Sequence, residues 1–461
     1  MDLNQLPIFK ELSPYSGQID TENRWIKLSK LVPWDEMDEL YRRHFDPSKH
    51  SVIKDCRLIM GLFLGQMLLK LSDREIVEYF HENLYFQYFC GKDSFVAKVS
   101  HGIIHPSLLS KRRKRLGKTT VAAFEKEIWK VLKEKGTIKG HRLMLDATVF
   151  PAHITYPSDI KLLNSVREYL CKTILDVKKG CGIKKAVRTY RRCARKVFLN
   201  VQKRKRKTRK FIRKSHKKMS QYVARNITQL ETLLDQAIKQ TITQVGTHLK
   251  AAKSRIKVWE IQQIKKRLKV AKEILKQQQA LLSTRGPKVN NRIVSFHWPE
   301  CRPIVRGKEG KRVEFGPKEH LSLTDGYIAL YHVSNEAFHE GILLEDSLNK
   351  HRERYGKDPD VLLADQLYAN RANRALLDEK GISHSFKPVG RPPDDSLENK
   401  RKRKQKLKIR QGERNHIEAT FGHLKNRFNL DKITWRGPDG MAMQIQMGLM
   451  AYNLSSALAK G

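Results

Sequence analysis

The chain has 461 residues, with 92 Lys and Arg against 48 Asp and Glu, and a formal net charge of +44 at pH 7. Such an excess of cations calls for a polyanionic partner, nucleic acid first and an anionic membrane surface second. No run of about 18 apolar residues is present to span a bilayer, so the membrane is excluded as a place to insert.

The opening MDLNQLPIFKELSPYSG has the pattern of neither a secretory signal nor a transit peptide. None of Cys56, Cys90, Cys171, Cys181, Cys193 and Cys301 forms a C-x-x-C pair, which argues against zinc-ribbon and thioredoxin-like chemistry. These features lead us to expect a soluble cytoplasmic protein with reduced thiols. From about Asn23 to Lys135 the text reads as several helices. Arg57 to Leu71 is an apolar stretch of helical length, and Ser72-Asp73 caps the next helix before Glu75. After His105-Pro106-Ser107, the segment LLSKRRKRL sets Lys111, Arg112, Arg113 and Lys114 beside Leu108, Leu109 and Leu116. This is consistent with a helix-turn-helix-like DNA module, in which Arg112 and Arg113 would touch phosphates, or with a helical domain bearing a basic face.

Arg142 to Phe150 (RLMLDATVF) differs in kind, being short, apolar on both faces and β-branched near its end, as a buried central strand is. Asp146 interrupts it, and a carboxylate in such a strand is costly unless it is paired or metal-bound. From about Ile160 to Arg285 the sequence turns helical and very basic. Lys203 to Lys218 is almost continuous cation, so Lys203, Arg204, Lys205 and Arg206 are expected to meet phosphates. Ile261, Ile264, Leu268, Ala271, Leu275 and Leu282 form a coiled-coil-like seam. Strand character returns at Pro303–Val305, Val313–Phe315 and Tyr327–Val333. The glycine-containing turn Arg306 to Lys311 lacks P-loop spacing, so no ATP requirement is expected. A helix near Phe338–Glu353 precedes Val361 to Asp365, a second apolar strand ending in an aspartate. Next come a helix at Tyr368–Lys380, a strand at Ile382–Phe386 and a basic, mobile loop from Pro388 to about Ile409. Two further helices close the chain, the last at Met441–Ala459.

The first of these closing helices carries Arg414, Glu418 and Lys425 on one edge, within ~40° of each other, beside the apolar stripe Ile417, Phe421, Leu424 and Phe428. Asp146, Asp365 and Glu418, on a mixed sheet and an abutting helix, form an RNase H-like arrangement. Three such carboxylates can hold two Mg²⁺ ions for phosphodiester chemistry, since Mg²⁺ takes hard oxygen ligands and keeps several waters. Asp159 and Glu413 are rival carboxylates. Asp159 reads as a turn or cap residue, and Glu413 points about 100° away from Arg414. His153 and His416 read as structural or DNA-proximal rather than as metal ligands, and Trp298 and Trp435 read as core residues, with stacking on a flipped base as the alternative.

With these residues on the page the chain resembles the DDE transposases of bacterial insertion sequences, in the fourth-and-fifth insertion-sequence family group. That group's signature is Tyr, two residues, Arg, three residues, Glu, six residues, Lys. Arg414, Glu418 and Lys425 match it, while Gln411 stands at the Tyr position. DATVF, YPSD, RPIVRGK, VEFGPK, LLADQLYANR and GRPP carry the resemblance over most of the chain, as do LSDREIVEYF and YFQYFCG near the N-terminus.

The resemblance implies an α/β RNase H-like catalytic domain with a mixed sheet (137–165 and 286–461). It also implies an N-terminal all-α DNA-binding domain (1–136) and an inserted basic α-helical block (166–285). It implies Mg²⁺, or Mn²⁺ in its place, at Asp146, Asp365 and Glu418, with Arg414 and Lys425 on terminal phosphates. The implied partner is double-stranded DNA, both terminal inverted repeats and target, bound by a homodimer in a prokaryotic nucleoid. A non-catalytic DNA-binding descendant of a transposase and another RNase H-like nuclease are the alternatives.

Overall fold

The structure, a computed structural model, describes residues 20–44, 55–92, 104–136, 138–183, 186–246, 258–283, 289–305, 313–390 and 397–460. The chain forms two compact units, Met1–His153 together with Ile304–Gly461, and Ile154–Pro303.

The first unit opens with α1 (Arg24–Leu31), α2 (Trp34–His44), α3 (Cys56–Leu69), α4 (Asp73–Glu82), α5 (Leu84–Phe89) and α6 (Ser107–Glu134). Helix α3 is apolar apart from Arg57 and Gln66 and is buried along nearly its whole length. Its Gly65 lies so close to the Phe86 ring that a Cβ there would fall 2.4 Å from it. Ser72 caps α4 with a complete capping box, in which the Glu75 carboxylate accepts from the Ser72 N–H at 2.8 Å. Helix α6 is broken at Gly117, where φ is +73°. Strand β1 (Arg142–Val149) follows.

The second unit is helical: α7 (Asp159–Gly180), α8 (Arg191–Lys203), α9 (Arg209–Gly246) and α10 (Val258–Ser283). Its core joins Leu163, Val166 and Leu170 of α7 to Met219, Val223 and Leu230 of α9 and to Ile261, Leu268 and Ala271 of α10. The seam read along α10 therefore packs inside this unit. The unit extends beyond 166–285 at both ends because its flanks are tied to each other. Asp159 pairs with Arg292 at 2.6 Å, and Ile293 and Phe296 enter the same core.

The chain then forms the short strands β2 (Pro303–Val305) and β3 (Val313–Phe315), followed by β4 (Lys318–Thr324) and β5 (Tyr327–Ser334). A 3-10 turn at Glu340–Leu343 leads into α11 (Leu344–Tyr355), and β6 (Val361–Ala364) follows. A second 3-10 turn (Gln366–Tyr368), α12 (Arg371–Glu379), β7 (Ser383–His384), α13 (Leu397–Arg427) and α14 (Pro438–Lys460) complete it.

The five-stranded sheet has the order β5-β4-β1-β6-β7, antiparallel across β1–β4 and β4–β5 and parallel across β1–β6 and β6–β7. This mixed order is consistent with an RNase H-like fold. Helix α14 packs on β5, where the buried Asn453 amide donates to the Ile328 carbonyl and accepts from its N–H, both at 2.8 Å.

Two elements differ from the sequence reading. Strand β4 replaces what read as a gap, and its Lys, Glu, His, Ser and Thr side chains hid a strand that is buried from Glu319 to Thr324. The basic segment expected as a loop is helical from Leu397 and continues unbroken into the helix of Glu418. Residues 391–396, including most of GRPP, and the turn at 306–312 lie outside the described residues.

The end of β1 is locked by a backbone contact. Ala152 N–H donates to Phe315 C=O at 2.7 Å, and a Cβ on Gly316 would fall 2.2 Å from the Phe150 carbonyl oxygen. Backbone cannot yield as a side-chain tip can, so Gly316→Ala is expected to cost about 1–3 kcal/mol in denaturant melts. Gly412→Ala, in helix α13 with nothing within 4 Å, should be neutral or stabilising by up to about 1 kcal/mol.

Candidate active site

Strands β1 and β6 pair in parallel with Leu145 opposite Ala364. One step further along each strand stand Asp146 and Asp365, at neighbouring positions on one end of the sheet. Helix α13 packs over β1 and β6. It does so with the predicted stripe, since Ile417, Phe421, Leu424 and Phe428 are all buried. This fixes the helix rotation and brings its polar edge to the aspartates. The Arg414 guanidinium lies 3.6 Å from Asp146 Oδ2 and donates to Glu418 Oε1 at 3.0 Å. One cation thus joins the sheet carboxylate to the helix carboxylate. Further along the same edge Lys425 donates to Thr148 Oγ1 at 3.0 Å and sits 5.7 Å from the Phe150 ring centre.

The electrostatics are those of an under-neutralised acid cluster. Burial pushes the Asp146 carboxyl up to about 6, against the pull of the Ala147 N–H. Glu340 and Glu418 push it the same way, and Arg414 offsets them in part. Glu340 opens the 3-10 turn, is buried, and pairs with Lys318 at 2.9 Å. The buried Tyr368 phenol is raised well above its usual range, first by burial and then by the charges of Glu340, Asp146 and Asp365. Glu319, opposite Thr148 in the sheet, is fully buried and its carboxyl is pushed far up by burial. The Phe150 N–H and the Lys425 charge pull Glu319 back. Asp146 and Glu418 share one guanidinium, and this surplus of hard oxygen charge fits a divalent cation. Among the described residues no three His, Cys, Asp or Glu side chains are gathered as a ready-made metal cage.

The remaining predicted residues are placed as follows. Lys203, Arg204, Lys205 and Arg206 are exposed where α8 gives way to α9, with the Arg204 guanidinium 4.4 Å from the Phe211 ring centre. Arg112 and Arg113 do not face outward. Arg112 is 6% exposed, and Arg113 pairs with Asp73 and lies over the Trp435 ring at 4.5 Å. The spacing Leu109, Arg112, Leu116 puts Arg112 on the packed side of α6, so these two arginines hold the helical region together rather than presenting a phosphate contact. Asp159 begins α7 and pairs with Arg292, and Glu413 pairs with Arg142 at 3.0 Å, so both rivals are engaged elsewhere. Lys318, Glu340 and Thr148 were not singled out from the sequence. Their only signal was polarity inside elements that are otherwise buried.

Comparison with known proteins gives the class. The family described as "Transposase DDE domain" matches residues 362–455, which include Asp365, Arg414, Glu418 and Lys425. The family described as "Transposase domain (DUF772)" matches residues 13–115. The chain is also similar to "Uncharacterized protein ORF8 in nfe locus" of Rhizobium meliloti, 29% identical over 147 residues, which are 31% of this chain and 69% of that protein. No solved structure matches. With a DDE domain near one end and a transposase domain near the other, the chain is an insertion-sequence DDE transposase, an enzyme of phosphodiester cleavage and transfer. Such an enzyme binds DNA and depends on a divalent metal. Among the described residues no helix is long and apolar enough to cross a membrane.

The raised Asp146 carboxyl has a consequence for stability. In the metal-free chain the folded state holds this proton more tightly than the unfolded state does. The stabilising contribution is complete below about pH 4 and is lost as pH rises through about 6. Asp146→Asn removes that loss. Its advantage over the parent, in EDTA, should grow to about 2–3 kcal/mol between pH 4 and pH 8. A constant difference across that range would show that Asp146 is not desolvated.

Proposed function

We propose that Asp146, Asp365 and Glu418 hold the metals of this transposase and that Arg414 and Lys425 hold the scissile phosphate. The observation supporting this is the Asp146–Arg414–Glu418 bridge, with Asp365 one strand away. In this reading Arg414 partly neutralises the two carboxylates until a DNA phosphate draws the guanidinium away, which frees their oxygens for metal. When bound, Mg²⁺, or Mn²⁺ in its place, activates the attacking oxygen and stabilises the leaving one. Water attacks a phosphodiester at the element end, a new P–O bond forms, and the P–O3′ bond breaks to leave a 3′-OH. That 3′-OH then attacks a phosphodiester of target DNA, forming a new P–O3′ bond as the target's own P–O3′ bond breaks and leaves a target 3′-OH. Lys425, fixed by Thr148, holds positive charge beside the reacting phosphate, where charge develops in the transition state. No nucleotide hydrolysis is needed, because each bond broken is matched by one formed.

The Arg-Glu-Lys spacing supports membership of the fourth-and-fifth insertion-sequence group. Its Tyr position is taken by Gln411, whose amide can reach a phosphate or base but cannot stack as a phenol does. We read the second structural unit as a basic insertion within the catalytic chain, whose Lys203–Arg206 run meets DNA phosphates. Action as a homodimer on paired inverted repeats, in the cytoplasm of a prokaryote, completes the proposal.

Three outcomes test it. Asp146→Asn, Asp365→Asn and Glu418→Gln should each lower Mg²⁺-dependent cleavage of an end-containing duplex about a thousandfold, the equivalent of ~4 kcal/mol of transition-state stabilisation, while DNA binding persists. Near-normal cleavage by any one of them removes that residue from the site. Arg414→Ala and Lys425→Ala should reduce cleavage or strand transfer more than binding. If both lose only non-specific affinity, they belong to a general basic surface. Neutralising Lys203, Arg204, Lys205 and Arg206 together should flatten the plot of log K against log salt by up to roughly 3–4 units. An unchanged slope would leave these cations in solvent.

A further inference from the structure

Helix α13 is two things in one rod. Its C-terminal part, from Ile417, packs on the sheet, whereas Arg401 to Arg410 in its N-terminal part are exposed except for the half-buried Leu407 and Arg410. This arm reads LENKRKRKQKLKIR. Like charges stand four residues apart at Lys404–Lys408, Lys402–Lys406 and Lys406–Arg410, each pair weakening an isolated helix. Little packing offsets that repulsion, and a polyanion would.

The two faces of the arm are not equivalent. Lys402, Gln405, Lys406, Ile409 and Arg410 line a cavity of about 380 Å³ with Arg142 and Val361, so they face the body of the unit. Lys402 is paired with Glu398, and Arg410 donates to the His384 carbonyl at 2.8 Å. On the other face, measured from Arg414, Lys404 lies near ~80°, Lys408 near ~120° and Arg401 near ~140°. Glu418 is near ~40°, with Gln411 near ~60° and Asn415 near ~100° between them. Arg401, Lys404 and Lys408 are exposed and have no ion pair or hydrogen bond among the described residues. One outward stripe therefore runs from these three free cations, through two amides, to the carboxylate of Glu418.

We propose that this stripe carries the backbone of double-stranded DNA alongside the cleaved phosphate, so that α13 is a rigid ruler between duplex and active site. The inference rests on the reading of Glu418 as a catalytic carboxylate and adds a surface to it. At 1.5 Å per residue, Arg401 and Glu418 are about 25 Å apart along the axis, the length of about seven base pairs at 3.4 Å each. Arg401, Lys404 and Lys408 together cover about 10 Å, the advance of about three nucleotides. Duplex DNA fits better than a small anion because the charges repeat along a line.

The test compares the full-length parent with two variants in binding across a salt series. The outward variant combines Arg401→Gln, Lys404→Gln and Lys408→Gln. The body-facing control combines Lys402→Gln and Lys406→Gln. The probe is a duplex carrying the inverted repeat and flank from beside the coding sequence, cut back in steps on either side of the cleavage position. The outward variant should flatten the salt slope by up to about 2.7 units, and the control should leave it unchanged. The parent should lose the same increment when the duplex on one side is cut to fewer than about seven base pairs, and the outward variant should be indifferent to that cut. Equal effects of the two variants, or no effect of either, would overturn the ruler. Cleavage by the parent and by Glu418→Gln, measured alongside, separates the two readings: an active Glu418→Gln overturns the catalytic assignment, whereas unchanged salt slopes with an inactive Glu418→Gln overturn the ruler alone.

Discussion

The site depends on one guanidinium. Arg414 reaches from a helix to a carboxylate in the middle of a sheet and holds, in the same grip, a carboxylate one turn along its own helix. Without it, Asp146 and Glu418 would stand as like charges with no cation between them. The apolar stripe of α13 supplies the adhesion and the guanidinium supplies the register. A partly exposed charge bridge of this kind does little for net stability. On the proposed reading its value lies in placement, since it keeps acids close together where a cation and a phosphate would meet.

The surrounding polar groups fit the same picture. Lys318 neutralises Glu340, Thr148 steadies Lys425, and the Tyr368 hydroxyl lies among three acids. Thr148, Glu340 and Tyr368 are each buried in a strand or turn where an apolar residue would pack at lower cost. Glu319 and His320, side by side in β4, extend the pattern: burial drives the first toward its neutral acid and holds the imidazole near 3. A sheet with this many buried titratable groups gives up stability around its reactive end, as an enzyme site does.

Much of this was legible in the sequence. The strand of Asp146 was visible because an apolar run is interrupted once, by an acid, and the strand of Asp365 because it ends in one. The rotation of α13 followed from the spacing of Ile417, Phe421, Leu424 and Phe428. The cap of α4 at Ser72 was readable, and the structure adds the reciprocal bond to the Glu75 carboxylate. What was not legible has a physical explanation. Strand β4 is buried yet polar, so alternation and hydrophobicity both miss it. The arm of α13 is helical without an apolar face, and a chain of lysines and arginines reads as a solvated loop when nothing marks what holds it. Arg112 and Arg113 sit in a basic word, but three-and-four spacing with leucines turned one inward and Asp73 claimed the other.

The central claim is that Asp146, Asp365 and Glu418 share metal ions once Arg414 lets go. The most direct measurement is anomalous diffraction from the protein crystallised with Mn²⁺ and a duplex carrying the element end. The account predicts that Mn²⁺ would be held by Asp146, Asp365 and Glu418, with the Arg414 guanidinium moved from Asp146 onto a phosphate. Manganese bound only at Glu340 or elsewhere, with Arg414 still bridging Asp146 and Glu418 in the presence of DNA, would contradict it.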